Sequence, residues 1–337
     1  MMLSLFTISS YAQRKKKQQK APLPPEKEVF APPAIQESNA QSDSDSQIFM
    51  PESAASQIIA TKMNGQEIHS ASLKEFENID FSQLQKIAFS TAVSGRSLDK
   101  AIIQRIIDEA VQLETLEIDN FAMENFPEIK KPNHHLKKLS LLQNGLKALS
   151  PSISNLVALE DFRCSNPLQE LPETFSQLKN LKELALSYAE FSEFPKAVFG
   201  LDKLSVLYIS GNPRGNAKIK ELPDQFQQLP ELREFGVTSA SLSALPESFS
   251  SLKKLEKASF SSNLFDDFPE VLAASPNLQF VPFTDNPLKW EKFRASIKKI
   301  KWRGLLFLNE TGFTKKQYEE IQKILTKIDV YYDGMQD

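Results

Sequence analysis

Cysteine, histidine and glycine are all scarce in this chain, and each scarcity argues against a class of site. The 337 residues include one cysteine and three histidines, which rules out an intramolecular disulfide or a multi-thiolate zinc site and disfavours a histidine-rich metal centre. Ten residues are glycine, and neither GxxxxGK[ST] nor GxGxxG occurs, so no phosphate-cradling loop is indicated. No apolar run reaches the ~20 residues that span a bilayer. We therefore expect no cofactor, no metal site and no integral membrane segment.

The charge balance is close to neutral. The formal net charge is −3, with 41% hydrophobic and 25% charged residues. Nucleic-acid binding needs a clustered basic face, which this balance does not favour. The length allows one or two domains with a sizeable core. We expect no nucleic-acid partner.

The amino terminus has the pattern of an export signal. An apolar run over residues 1–10 ends in the small-x-small site Ser10-Tyr11-Ala12, similar to the signal peptides of Gram-negative exported proteins. No basic residue precedes the run and a basic cluster, residues 14–17, follows it, which opposes the usual charge asymmetry. We expect a signal peptide over residues 1–12 and export to the periplasm or cell surface, with a cytoplasmic location as the alternative. Residues 13–60, rich in Pro, Gln, Ser and charge, predict a disordered linker.

From residue 84 onward the chain repeats one apolar pattern. Successive units are separated by 29, 23, 23, 22, 23, 28, 23 and 23 residues. The nine unit starts are Leu84, Leu113, Leu136, Leu159, Leu181, Leu204, Leu232, Leu255 and Leu278. Each begins with an L-x-x-L-x-L core, or a close variant, that puts two apolar side chains on one face of a short strand. Such a period predicts a solenoid.

Two further positions recur. The ninth position carries an asparagine, which we expect to be buried and to satisfy backbone groups of neighbouring turns, in Asn144, Asn212, Asn263 and Asn286. Three units depart from this pattern with Phe121, Ala189 and Ala240, and a shorter unit has Asn166 one place early. Later in most units, proline suits the first position of a helical turn, and an apolar side chain follows three residues on. These apolar residues are Phe175, Val198, Phe226, Phe249 and Leu272.

Over about residues 84–290 this pattern resembles the leucine-rich repeat family, in its 23-residue form LxxLxLxxNxLxxLPxxFxxL. The resemblance implies an α/β fold, a horseshoe-shaped solenoid with a parallel sheet on the concave side and short helical turns on the convex side. It also suggests a bacterial source. Because a stack of repeats exposes apolar faces at both ends, we expect caps over residues 61–83 and 291–337. In the second cap, residues 305–307 predict a strand, Thr314 a helix N-cap, and residues 328–332 a last strand.

Few residues suggest chemistry. Cys164 could be a nucleophile, but it occupies the sixth position of its unit, which points inward, so we interpret it as a buried structural residue. His134 and His135 precede a strand with no third ligand nearby, which is typical of a surface turn. We expect no enzymatic activity.

The outward strand positions are more informative. The residue after the third apolar position is a hydroxyl in seven of nine units, and small uncharged residues dominate the position just before that apolar residue. The residues that we expect to bind a partner on this concave face are Arg163, Tyr188, Tyr208, Phe280, Ser187 and Ser210. The sequence thus predicts a monomeric, non-catalytic module that binds a protein partner. The alternatives are a carbohydrate or cell-surface adhesion protein and, less favoured, an effector enzyme.

Overall fold

The computed structural model describes residues 56–70, 76, 78–92, 95–123 and 125–332. The predicted signal peptide and most of the predicted linker lie outside the described residues. Both therefore stay predictions there. The predicted linker boundary at residue 60 is wrong, because residues 56–60 belong to a strand in which Ile58 and Ala60 are buried.

One sheet of thirteen strands runs through the described part of the chain. From β3 to β13, each strand pairs in parallel with the next strand in sequence. The strands are β1 Ser56–Lys62, β2 Glu67–Ser70, β3 Leu84–Thr91, β4 Thr115–Asp119, β5 Lys138–Leu142, β6 Asp161–Ser165, β7 Glu183–Ala189, β8 Val206–Gly211, β9 Glu234–Thr238, β10 Lys257–Ser259, β11 Phe280–Pro282, β12 Gly304–Phe307 and β13 Ile328–Tyr331. The predicted solenoid with one parallel sheet is confirmed.

Short helical segments connect the strands. The α-helices are α1 Lys100–Glu109, α2 Glu270–Ala273, α3 Trp290–Ser296 and α4 Lys315–Ile324. The 3-10 turns are Phe81–Gln83, Pro151–Asn155, Glu173–Gln177, Lys196–Gly200, Phe226–Gln228, Glu247–Ser251 and Ile297–Lys299. The expectation that proline opens these segments is wrong by one residue at Pro172, Pro195, Pro246 and Pro269. There the extended proline is the N-cap, and its carbonyl accepts the first hydrogen bond of the turn, as in Phe175 N–H to Pro172 O at 2.9 Å.

The core lies between the sheet and these turns. All nine unit-start leucines are buried, as are the five apolar residues predicted on the convex side. Phenylalanines from successive repeats pack ring to ring, with 4.3 Å between the centroids of Phe226 and Phe249 and 5.1 Å between Phe235 and Phe249. Aromatic pairs of this kind add to the stability gained by burial. This stack accounts for many of the 24 phenylalanines.

Asparagine side chains join the turns that follow the strands. Asn263 Nδ2 donates to Val237 O at 2.8 Å, and its Oδ1 accepts from Leu242 N–H at 3.1 Å. Asn286 makes equivalent bonds to Phe260 O and Phe265 N–H, at 3.0 and 3.2 Å. Each amide therefore satisfies two backbone groups of the preceding repeat. The eighth position takes left-handed backbone in six units, at Asn120, Gln143, Tyr188, Ser239, Ser262 and Asp285.

The early Asn166 performs the same task. Its Oδ1 accepts from Asn144 N–H at 2.7 Å and its Nδ2 donates to Leu141 O at 2.8 Å. In the unit with Phe121, the Phe121 carbonyl accepts from Asn144 Nδ2 at 3.0 Å. The asparagine of one repeat thus satisfies the turn of the repeat before it.

The prediction for Asn212 is wrong. Asn212 is half-buried. Its Nδ2 donates to the Glu190 carboxylate of the preceding repeat at 3.1 Å, and its Oδ1 accepts from Arg214 N–H in its own loop at 3.0 Å, so its amide does not satisfy backbone groups of the preceding turn. In the next repeat Ala240 takes the place of the asparagine, and a lysine side chain donates to the backbone of that turn. Lys218 Nζ donates to Ser239 O at 3.1 Å and to Asn212 O at 2.7 Å.

Additional elements adjoin the repeats at both ends of the parallel strands. At the start, β1 pairs antiparallel with both β2 and β3. At the end, Thr314 caps α4 with a capping box, as predicted. The two predicted C-terminal strands form β12 and β13, which extend the parallel sheet beyond residue 290. Gln322 in α4 donates to Ile328 O at 3.0 Å and accepts from Val330 N–H at 3.4 Å, so its amide occupies backbone groups of the edge strand β13.

Candidate functional site on the concave face

The concave face consists of the side chains of β3–β13 that point away from the core. Because the strands are parallel and in register, equivalent positions line up across the sheet. Arg163, Ala185, Tyr208 and Gly236 are successive partners in the row formed by the fifth position of each unit. Strands lie ~4.8 Å apart, so Arg163 and Tyr208 have backbones roughly 10 Å apart.

The first half of this face, β3–β7, carries charges that pair with one another. Arg163 forms two hydrogen bonds to Asp161, at 3.0 and 2.9 Å, and lies 3.6 Å from the Glu183 carboxylate. Lys138 Nζ lies 3.6 Å from Asp161, which is only 7% exposed. A buried carboxylate requires such compensation. The predicted binding residue Arg163 is therefore held within the sheet surface by its neighbours.

Tyr208, in β8, lies across the neighbouring strand β9. Its hydroxyl donates to Glu234 Oε2 at 3.1 Å, and Glu234 Oε1 lies 2.8 Å from Lys257 Nζ. Burial is the main cause, and the nearby Glu234 charge the second, of a strongly raised pKa for the Tyr208 hydroxyl. Tyr208 therefore stays neutral over the physiological range, and its position is fixed at the ring and at the hydroxyl.

The second half of the face ends in an aromatic strip, which we define as Phe280, Pro282, Leu305, Phe307 and Tyr331. Ring centroids are 5.0 Å apart for Phe280 and Phe307, and 4.9 Å apart for Phe307 and Tyr331, whose rings are stacked. Phe307 is buried, and the other four side chains are half-buried. Phe280 was predicted from the sequence. Leu305 and Tyr331 were not, because they lie in the predicted C-terminal cap, beyond the repeats in which the outward positions could be identified.

The remaining predicted residues lie near the carboxyl ends of β7 and β8. Ser187 and Ser210 are half-buried. Tyr188 lies near the end of β7 with a φ of 56°, at an irregularity where the pairing with β8 shifts register. Tyr188 is thus outside the row that holds Arg163 and Tyr208, and the six predicted residues do not form one continuous patch.

The residues considered for chemistry are Cys164, His134 and His135. Cys164 is 2% exposed, burial raises its thiol pKa to about 12, and its sulfur accepts from Asn166 Nδ2 at 3.2 Å. His134 and His135 are exposed. In the described residues no group of three His, Cys, Asp or Glu is placed to hold a metal ion. None of the helices described here has the length and hydropathy to cross a membrane.

Comparisons with known proteins agree with the repeat pattern. No family model matches the chain. One curated relative is mouse leucine-rich repeat and calponin homology domain-containing protein 1, with 29% identity over 40% of this chain. Two others are human vasorin, with 34% identity over 34% of this chain, and Xenopus laevis leucine-rich repeat-containing protein 58, with 30% identity over 37% of this chain. Together with the 23-residue period and the parallel sheet, these matches identify the fold. The chain folds as a leucine-rich repeat solenoid.

The matches cover only part of each relative. This leucine-rich repeat chain spans 19%, 17% and 35% of their lengths, respectively. Among solved structures, a Leptospira interrogans leucine-rich repeat protein has a TM-score of 0.30 and 19% identity, covering 73% of this chain and 89% of the other. Listeria monocytogenes internalin C2 has a TM-score of 0.43 and 18% identity, covering 66% of this chain and 80% of the other. A bacterial source for this chain stays a prediction.

Proposed function

We propose that the chain is a non-catalytic interaction module that binds a protein partner on its concave face. The observation that supports this most strongly is the presence of partly exposed aromatic side chains in the second half, at Tyr208, Phe280 and Tyr331. Large aromatic side chains with few rotatable bonds supply much of the energy at protein interfaces. An open sheet suits a macromolecule better than a small ligand, which needs an enclosed pocket.

The charged first half contributes less to binding in this proposal. Its cations already have carboxylate partners, and a new partner would have to break those pairs before gaining its own. In this proposal Tyr208 and Phe280 lie at the centre of the contact. The residues at its border, which fit the partner without supplying much of the binding energy, are Arg163, Ser187 and Ser210.

A matched pair of double variants tests this proposal. Tyr208→Ala with Phe280→Ala should abolish recovery of the partner from native material, since truncating one central aromatic can cost ~2 kcal/mol or more. Glu173→Ala with Glu247→Ala, two exposed carboxylates on the convex turns, should leave recovery intact. Loss of the partner only from the convex variant would overturn the proposal.

A carbohydrate ligand is the second candidate. Its support is the row of hydroxyl side chains on the concave face, formed by Ser165, Ser187, Ser210, Thr238, Ser261 and Thr284. A glycan array separates the two candidates. Strong binding to one class of glycan, abolished in the Tyr208 and Phe280 double variant, would replace the protein partner in this proposal.

For location we propose export, supported by the apolar segment and small-x-small site at the amino terminus. For oligomeric state we propose a monomer. Expressed in a Gram-negative host, the chain should begin at Gln13 when sequenced. An intact Met1 in the soluble cytoplasmic fraction would contradict export. Light scattering of the purified chain should give the monomer mass, and a dimer mass would contradict the monomer.

A further inference from the structure

Gly236 makes room for the Tyr208 ring. A Cβ built at Gly236 would lie 2.5 Å from Tyr208 Cδ1 and 2.8 Å from Cε1, closer than real Cβ atoms approach. The backbone of Gly236 is not in the left-handed region, so conformational freedom does not explain the glycine. The requirement at this position is space. The Tyr208 ring packs directly on the β9 backbone.

The hydroxyl end of the same ring is also fixed. Glu234, two residues before Gly236 on β9, accepts the Tyr208 hydroxyl at 3.1 Å and is itself held by Lys257 on β10. Packing on Gly236 therefore fixes the ring, and the hydrogen bond to Glu234 fixes its hydroxyl end. A Tyr held at both points loses little conformational entropy when a partner binds.

We propose that Gly236 and Glu234 are positioning residues that hold Tyr208 flat on the sheet as a pre-formed platform for a proline ring or an aromatic side chain of a partner polypeptide. This inference rests on the proposed function. Small residues adjoin the platform in the same row, Ala185 on one side and Ser259 beyond Gly236, so a flat group can approach. The nearby charges of Glu234 and Lys257 neutralise each other, which favours an uncharged group.

The first part of the test uses the free protein. In full-length protein with 13C-labelled tyrosine, Tyr208 is assigned by NMR with Tyr208→Phe, and its ring should flip slowly enough to give distinct signals for the two edges. Gly236→Ala and Glu234→Ala should release the ring and average these signals. Glu234→Gln keeps an oxygen acceptor and should restore the distinct signals. Unchanged Tyr208 signals in Gly236→Ala would overturn the positioning role.

The second part measures binding. A displayed library of random 12-residue peptides, selected on the full chain, should enrich proline and aromatic residues. Affinity of the selected peptides should fall about tenfold or more in Gly236→Ala and Glu234→Ala. Glu234→Gln and Ser140→Ala, the latter in the same row on β5, should bind like the parent.

The outcomes separate this inference from the proposed function. If the ring is released but peptide affinity is unchanged, the platform is wrong, while binding elsewhere on the concave face stands. If no peptide is enriched and a glycan array gives binding that depends on Tyr208, both the polypeptide partner and this inference are wrong.

Discussion

The two halves of the concave face use the same backbone for different purposes. On β3–β7 the large side chains are charged and satisfy one another, as Arg163 does with Asp161 and Glu183. On β8–β13 one charged pair, Glu234 with Lys257, lies among aromatic side chains, and the contacts of Phe280 and Tyr331 leave part of their surface accessible. The difference teaches that size alone does not identify a binding residue. A side chain whose interactions are already complete has less to gain from a partner.

Both halves of the concave face should be supported by the same kind of buried asparagine contact. Removing such a contact is the largest loss of stability that we expect. Asn166 and Asn263, one under each half, make equivalent bonds to the preceding repeat. Substituting either with alanine should lower the free energy of unfolding by ~1–3 kcal/mol, because buried backbone groups lose their partners. Denaturant unfolding measures this loss.

The control for this pair is Ser261→Ala, which changes a half-buried side chain two residues from Asn263 and should be almost neutral. Equal losses for Ser261→Ala and Asn263→Ala would contradict the assigned register. Very different losses for the two asparagines would show that the halves do not share one scaffold.

A second prediction separates stability from binding. Arg163→Ala should destabilise the protein by ~1–2 kcal/mol, because it leaves the buried Asp161 with only the more distant Lys138. It should leave most partner recovery in place. Thermal unfolding and partner recovery are measured on the same sample, with Ser140→Ala as the control. Loss of the partner without loss of stability would move the binding site to the charged half.

The smallest expected effect concerns the irregular repeat at the start of the second half, between β8 and β9. Lys218→Met should cost ~0.5–1.5 kcal/mol, since the carbonyls of Ser239 and Asn212 lose a donor. Lys220→Met, at an exposed lysine in the same loop, is the matched control and should cost little. If the two variants unfold alike in denaturant, Lys218 does not replace the missing asparagine.

Most of the fold could be predicted from the sequence because its period is strong. The buried leucines, the parallel order, the Thr314 cap and the last two strands all follow from spacing and side-chain type. The role of Lys218 could not, because it depends on the path of a loop of irregular length. The contacts of Asn212 could not be predicted for the same reason, since its amide binds Arg214 N–H in its own loop and the Glu190 carboxylate of the preceding repeat.

The candidate site was harder to predict. Position in the repeat identified Tyr208 and Phe280 as outward-facing, but not that Tyr208 would lie over Gly236, which depends on a cross-strand contact. Position also suggested that Arg163, Tyr188 and Tyr208 form one patch. The left-handed backbone at Tyr188 and the ion pairs of Arg163 separate them. Neither feature is visible in residue spacing.

Hydroxyl-radical footprinting, read by mass spectrometry with and without the recovered partner, tests the central claim most directly. The account predicts that the partner reduces oxidation of Tyr208, Phe280 and Tyr331, while the convex turns at residues 173–177 and 247–251 are unchanged. Protection confined to those convex turns, or to β3–β7, would contradict it.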